Sequence, residues 1–285
     1  MKLSIVIPAK NEAENLIEFL PRLKAQVGDA ECIVVNDGST DNTVEICEQN
    51  GVRVISHPYS KGNGAAIKTG ARAATGDVIV FLDGDGQHKP EDIPRLLAKL
   101  EKGYDMVVGA RDRASQADSY RAIANGIYNW LSSTMTGHDI KDLTSGFRAV
   151  RADKFREFIY LLPNGFSYPT TCTMAFFRAG YSVGYLPIET ETRQGKSHIS
   201  PLKDGVRFLV IIFKVAVLYS PLKIFLPVAT GYFLLGCMYY FYTFVTDGRF
   251  TNMSAVLFMT AILTFLIGLV SEQVTTLMYK DSDKD

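Results

Sequence analysis

Two carboxylates spaced two residues apart, Asp83 and Asp85, follow the apolar run Val78-Ile79-Val80-Phe81-Leu82. In extended chain, residues i and i+2 project to one side. Carboxylates crowded there repel each other unless a cation lies between them. A hard divalent ion that keeps part of its water and is shared with substrate phosphates fits such a pair. Gln87 continues the alternation, and the adjacent His88 is expected to face solvent. The segment is no EF-hand loop, because Gln87 and His88 stand where a third ligand and a glycine are required.

Two further apolar runs end in polar clusters. Leu3–Ile7 leads into Pro8-Ala9-Lys10-Asn11-Glu12, and Cys32–Val35 into Asn36-Asp37-Gly38-Ser39-Thr40-Asp41. One cluster alone is turn and cap chemistry. Three at the same edge of a parallel sheet, where ligands bind, make a site. Basic groups come next. Arg111, Arg113 and Arg121 follow a fifth run, with Asn125 and Asn129 at helical spacing from Arg121. A guanidinium grips phosphate with two parallel hydrogen bonds, although the same residues would also suit a solvated face. Asp142 precedes a small-residue turn, Thr144-Ser145-Gly146, and a strand, as a capping carboxylate does. Arg193-Gln194-Gly195-Lys196-Ser197 reads as a basic lid or a headgroup-contacting linker.

Other matches fail. Thr190 stands where a P-loop ending in Gly195-Lys196-Ser197 needs its first glycine. Gly62-Asn63-Gly64 is not completed to a dinucleotide fingerprint. Lys61, Gly62 and Asn63 instead open a helix whose N–H groups face an anion, or form a plain loop. Four scattered cysteines give no zinc spacing and no disulfide framework.

Elements must position these residues. Strands are expected at Leu3–Ile7, Cys32–Val35, Val52–Ile55, Val78–Leu82 and Met106–Val108, with helices near 12–25, 41–49, 64–73 and 91–101. Ser39-Thr40-Asp41 and Pro90-Glu91-Asp92 mark two helix starts. The alternation predicts an α/β fold with a mostly parallel sheet covered on both faces.

The C-terminal part differs. Ile224–Thr246 and Phe250–Ser271 are charge-free and each long enough to cross a bilayer, with a short Asp247-Gly248-Arg249 turn between them. The competing reading is a buried hairpin in a soluble core. Tyr239, Tyr240 and Tyr242 suit an aromatic belt, and flanking lysines and arginines put both ends on the cytoplasmic side. Pro201–Tyr219 mixes Lys203, Arg207 and Lys214 with apolar residues, as an interfacial amphipathic helix does. The N-terminus has no apolar signal stretch. Thirty basic and 30 acidic residues give zero net charge, which excludes binding nucleic acid through bulk charge. Neutrality conceals polarity. Residues 1–92 carry 9 basic and 14 acidic groups, and residues 193–223 carry 6 and 1.

Taken together, IPAKNE, VVNDGSTDNT, FLDGDGQH, DLTSGFRA and RQGKS resemble the family 2 glycosyltransferases, in their polyprenyl-phosphate branch. The resemblance covers residues 1 to about 205. It implies a GT-A, Rossmann-like catalytic domain over 1–198, an interfacial helix over 199–220 and a transmembrane hairpin over 221–285, with spans near 222–246 and 251–274. It implies transfer of one sugar from a GDP- or UDP-sugar to a polyprenyl or dolichyl phosphate, with inversion, using Mg2+ or Mn2+. By this resemblance Pro8, Lys10 and Glu12 line the nucleotide pocket and Asp37 contacts the base or ribose. Asp83, Asp85 and Gln87 hold the metal and diphosphate. Arg111 and Arg121 hold the lipid phosphate with Asn125 nearby, Asp142 lies near the acceptor, and Arg193 and Lys196 close over the donor. Asp85, Arg121 and Asp142 are the expected catalytic residues. The sequence departs at Gly165–Thr173, where many relatives carry a glutamate. Alternatives are an acceptor hydroxyl on another lipid and an inactive membrane partner. Self-association through the hairpin is a further expectation.

Overall fold

In a computed structural model, the structure describes residues 1–111, 119–165, 167–190, 213, 217 and 219–279. Two compact units are present, residues 1–200 and 201–285.

The first unit grows from apolar runs too short for buried helices. They form β1 (Leu3–Ala9), β2 (Glu31–Asn36), β3 (Arg53–Ser56), β4 (Val78–Phe81) and β5 (Met106–Arg111). The expected helices are α1 (Ala13–Val27), α2 (Thr43–Gln49), α3 (Asn63–Ala73) and α4 (Ile93–Leu100). Beyond them lie α5 (Ser119–Thr136), β6 (Arg148–Arg151), α6 (Ala152–Glu157), α7 (Tyr168–Arg178) and β7 (Val183–Ile188). Among the described residues the seven-stranded sheet has the order β3-β2-β1-β4-β6-β5-β7. Only β6 runs against the others, pairing antiparallel with β4 and with β5.

Alternation along β1 fills both faces. Ile5 and Ile7 join Leu16, Leu20 and Leu23 of α1 and Leu96 and Leu100 of α4 in one buried cluster. Val6 faces the other way, against Gly70 of α3, where a Cβ would lie 2.3 Å from Val6 Cγ1. Both faces are therefore covered, as parallel strands require.

Pro8 opens the site end of the sheet. Val6 O accepts from Leu82 N, so alternate residues of β1 address β4 on that side. The last paired position between these strands is Val6 with Phe81. Pro8 lies two residues on, beyond that pairing, so its missing N–H costs no ladder bond. The ladder ends here, yet Gly84 stays close to β1, where an added Cβ would lie 3.3 Å from Pro8 O.

Among the described residues the second unit holds two long helices, α8 (Leu222–Asp247) and α9 (Asn252–Tyr279). Each has an apolar stretch long enough to span a membrane, and only 11% and 17% of those stretches are buried. A soluble core hairpin would be mostly buried, so that reading fails. The residues that are buried are small and recur every seven positions. They are Ala229, Gly236 and Thr243 on α8, and Ser254, Ala261, Gly268 and Thr275 on α9. A seven-residue period keeps one seam in register between two helices, and small side chains allow close approach. A Cβ on Gly268 would lie 2.7 Å from Phe225 Cβ. At one end Glu272 of α9 accepts from Leu222 N at 3.2 Å and Ser220 Oγ at 3.5 Å, capping the first turn of α8. Most of the expected interfacial helix lies outside the described residues.

Gly268→Leu should destabilise the hairpin by about 1–3 kcal/mol through overpacking. Gly231→Leu, where an added Cβ meets nothing within 4 Å, should be nearly neutral. Denaturant titration of the full chain in mild detergent measures both.

Candidate functional site

The polar clusters after β1, β2 and β4 stand side by side because these strands are parallel neighbours. The first two are laced together. Asn11 N donates to Ser39 Oγ and Thr40 N donates to Asn11 Oδ1. Asn11 has φ +55°, a left-handed conformation that asparagine tolerates. Asp41 accepts from Thr43 N at the start of α2 and from Ala13 N at the start of α1. One carboxylate thus caps two helices. Pro8 is buried, Lys10 is exposed and Glu12 is half-buried at the head of α1.

Asp37, expected at the base or ribose, is turned inward. It is 4% exposed. Its oxygens accept from His57 Nδ1 at 2.7 Å, Ser60 Oγ at 2.7 Å, Lys61 N at 2.8 Å and Gly62 N at 2.9 Å. Burial pushes the carboxyl pKa up. The donors, His57 first, outweigh burial and hold it at about 2. His57 Nε2 lies 2.9 Å from Thr69 Oγ1 on α3. Asp37 therefore fixes the 57–62 loop and, through His57, braces α3.

That loop does open a helix, and the anion its first N–H groups meet is the protein's own Asp37 carboxylate. Asn164 O accepts from Ala65 N at 3.1 Å. A Cβ on Gly62 would lie 2.4 Å from Asn164 O, and one on Gly64 2.1 Å from Pro163 O. The glycines admit the 163–165 backbone, which covers the helix end.

After β4 the chain turns rather than continuing extended. Asp83 closes the strand end, residues 84–85 form a turn, and Gln87 N donates to Asp85 Oδ1 at 3.2 Å. The extended pleat expected to put Asp83, Asp85 and Gln87 on one side is therefore absent, and a turn follows Asp83 instead. Asp83 lies between Asn63 Nδ2 at 3.4 Å and Gly146, where a Cβ would sit 2.7 Å from Asp83 Oδ2. Only glycine leaves room for the carboxylate. His88 is not solvent-facing. It is 5% exposed and packs on Phe147 with ring centroids 5.1 Å apart. Burial, the dominant influence, depresses its pKa to about 4.

The fourth carboxylate, Asp142, is also committed. Arg111 Nε donates to Asp142 Oδ2 at 2.8 Å and Arg111 Nη2 to Oδ1 at 3.0 Å. Asp142 further accepts from the backbone N–H groups of Arg111, Thr144 and Ser145. It is 3% exposed; burial raises its pKa, but Arg111 and these donors together pull it below the ordinary value. So Asp142 is a clamp, with no oxygen disposed as a base. Arg111 remains partly open to solvent, with a side chain 28% exposed. Burial opposes its charge, while Asp142, Asp83 and Asp85 favour it. The guanidinium and the two candidate metal carboxylates therefore share one electrostatic neighbourhood.

Residues 4–159, more than half of the chain, match the family model for glycosyl transferase family 2. The chain belongs to that family. Residues 220–277 match the GtrB C-terminal hairpin. The undecaprenyl-phosphate 4-deoxy-4-formamido-L-arabinose transferase of Proteus mirabilis is 38% identical over 160 residues, 53% of this chain and 49% of that protein. The chain thus spans about half the length of such relatives. Glycosyltransferase AglJ of Haloferax volcanii is 27% identical over 96% of this chain and 93% of its own. Glucosyl-3-phosphoglycerate synthase of Mycobacterium tuberculosis, solved with Mn2+ and UDP, superposes with TM-score 0.60 over 75% of this chain and 80% of its own. At 21% identity that likeness establishes the fold.

A family 2 site can be tested for a cation on its own donors. Asp83, Asp85 and Gln87 offer only hard oxygen donors among their side-chain acceptors. Among the described residues no three His, Cys, Asp or Glu side chains form a metal cluster. This set suits an ion completed by water and phosphate and does not suit a closed cage. Arg121 and Asn125 belong to α5 by backbone, and Arg193 and Lys196 lie outside the described residues. Trp130 of the same helix is 67% exposed.

Three supporting residues had weak signals in the sequence. His57 simply follows a strand. Arg148 opens β6, and it is fully buried, donating to Pro169 O at 3.0 Å and to Ser145 O. It ties the Gly146 turn to α7. Asn129 had only its spacing from Arg121.

Asp37→Asn should cost about 2 kcal/mol at pH 7, the worth of the depressed pKa. The folded value lies below the unfolded one. The contribution is therefore complete above about pH 4 and is lost as pH falls toward 2. Paired denaturation curves across pH 2–7 should converge at the acid end.

Proposed function

We propose that this family 2 protein transfers one sugar from a GDP- or UDP-sugar to the phosphate of a polyprenyl lipid, inverting the anomeric carbon in one displacement. The observation that carries the reading is Arg111 clamped by Asp142 beside Asp83 and Asp85. It sets a guanidinium charge, held along one edge by Asp142, next to a hard-cation donor set at one sheet edge. The relatives named as undecaprenyl-phosphate transferases and the matched hairpin support a polyprenyl-phosphate acceptor. The Mn2+ and UDP of the mycobacterial enzyme support a divalent cation and a nucleotide donor.

Asp83, Asp85 and Gln87 would hold Mg2+ or Mn2+, which when bound offsets the charge gained by the departing nucleoside diphosphate. Pro8, Lys10 and Glu12 line the nucleotide pocket, with Asp37 supporting it from behind. Arg193 and Lys196 close over the diphosphate. Arg111, Arg121 and Asn125 orient the acceptor phosphate. That phosphate is already anionic near neutral pH and needs alignment more than deprotonation. Asp142, its oxygens taken by six hydrogen bonds, suits a reaction that asks no base of it. A hydroxyl acceptor would need a general base poised near the working pH, and Asp142 is held far below it.

The catalytic domain, 1–198, would work at the cytoplasmic face, with both termini on that side. The 199–220 helix would lie in the headgroup plane, and the 221–285 hairpin would anchor the chain and self-associate.

Mass spectrometry of lipid products from a panel of GDP- and UDP-sugars with undecaprenyl and dolichyl phosphates tests the reaction. A glycosylated lipid phosphate is expected; product on diacylglycerol alone would sink the reading. Asp85→Ala should lower kcat by at least about 10²-fold while the protein stays folded in the membrane. Undiminished turnover in EDTA would remove the cation from the scheme.

A further inference from the structure

Asn129 lies on α5, eight residues after Arg121 and four after Asn125. Its carboxamide makes two backbone bonds of opposite sense. Nδ2 donates to Lys141 O at 2.7 Å, and Oδ1 accepts from Leu143 N at 3.1 Å. One turn further along α5, Ser133 Oγ accepts from Ile140 N at 3.0 Å. These three bonds tie the helix to the 140–143 strap on both sides of Asp142. The strap is buried at Ile140, Asp142 and Leu143, so it has little freedom to slide. Asp142 in turn grips Arg111 through two parallel bonds. A continuous chain of polar contacts therefore runs from α5 to the Arg111 guanidinium. A carboxamide donates and accepts at once, which a carboxylate or an aliphatic side chain of similar size does not.

We infer that Asn129 is a positioning residue for the anionic acceptor. It fixes the register of α5 against the strap, so that Asp142 holds the Arg111 guanidinium in place for the phosphate. This rests on the acceptor reading proposed above. A helix advances about 1.5 Å per residue. A slip of even one residue would move the strap, and Arg111 with it, out of alignment with the anion. Asn129 touches no substrate. Its effect should appear in acceptor affinity and leave donor affinity alone.

Steady-state kinetics of the full chain in detergent, varying undecaprenyl phosphate and the nucleotide-sugar separately, tests this. Asn129→Ala removes two hydrogen bonds and should raise the acceptor KM about tenfold, with the donor KM within about twofold. Asn129→Asp keeps the acceptor for Leu143 N but sets an oxygen against Lys141 O. It should show the same split, and it carries the test if the alanine variant does not fold. Asn129→Ala combined with Arg111→Lys should raise the acceptor KM by less than the product of the single effects, because Asn129 acts through Arg111. Equal changes in both KM values would mean general distortion of the domain and overturn the inference. So would an unchanged acceptor KM in the Asn129 variants beside a raised one in Arg121→Ala. If Arg121→Ala changes nothing while Asn129→Ala raises the acceptor KM, Arg121 loses its role and positioning through Arg111 stands. If neither changes it, the inference and the acceptor reading fall together.

Discussion

The paired bonds between Arg111 and Asp142 govern the site end of this fold. Burying a carboxylate is costly unless its lone pairs are filled, and here six hydrogen bonds fill them. The pair joins the end of β5 to the segment entering β6. It is placed where the sheet reverses direction, since β6 is the one antiparallel strand. The turn after Asp142 can then present Gly146 to Asp83 and lead Arg148 into the core. Breaking the pair would free the guanidinium and also strand a buried charge.

Four acidic positions at one sheet edge divide by their surroundings. Asp37 and Asp142 are inward and saturated by protein donors. Asp83 and Asp85 sit in and beside a turn, within the field of Arg111. The first two shape the loops that the second two depend on. Residue type alone does not separate these roles, because a carboxylate that holds a loop and one that holds a cation are both acidic residues after an apolar run. The number of backbone N–H groups within reach decides between them.

Much of the architecture is readable from the chain. The strands β1 to β5 are short β-rich runs between turn signals, and their order with α1 to α4 dictates a parallel sheet. The apolar C-terminal stretches announce α8 within two residues at each end, while α9 runs eight residues beyond Ser271 to Tyr279. β7 was not apparent, because Val183–Ile188 contains a glycine and a proline and gains its pairing from β5, distant in sequence. The burial of His88 was invisible for a similar reason: its shelter is Phe147, nearly sixty residues on. Asp37 misled because its donors come from the loop after β3. Their N–H groups exist in any sequence, and only the fold aims them.

Trp130 stands next to Asn129 in the chain and is exposed on α5. It is the chain's only tryptophan. The indole emission of the native protein therefore comes from a single place, one residue from the contact that ties α5 to the Asp142 strap. Changes in solvent polarity around that helix can be followed optically in the unmodified enzyme, with no label and no second indole to subtract.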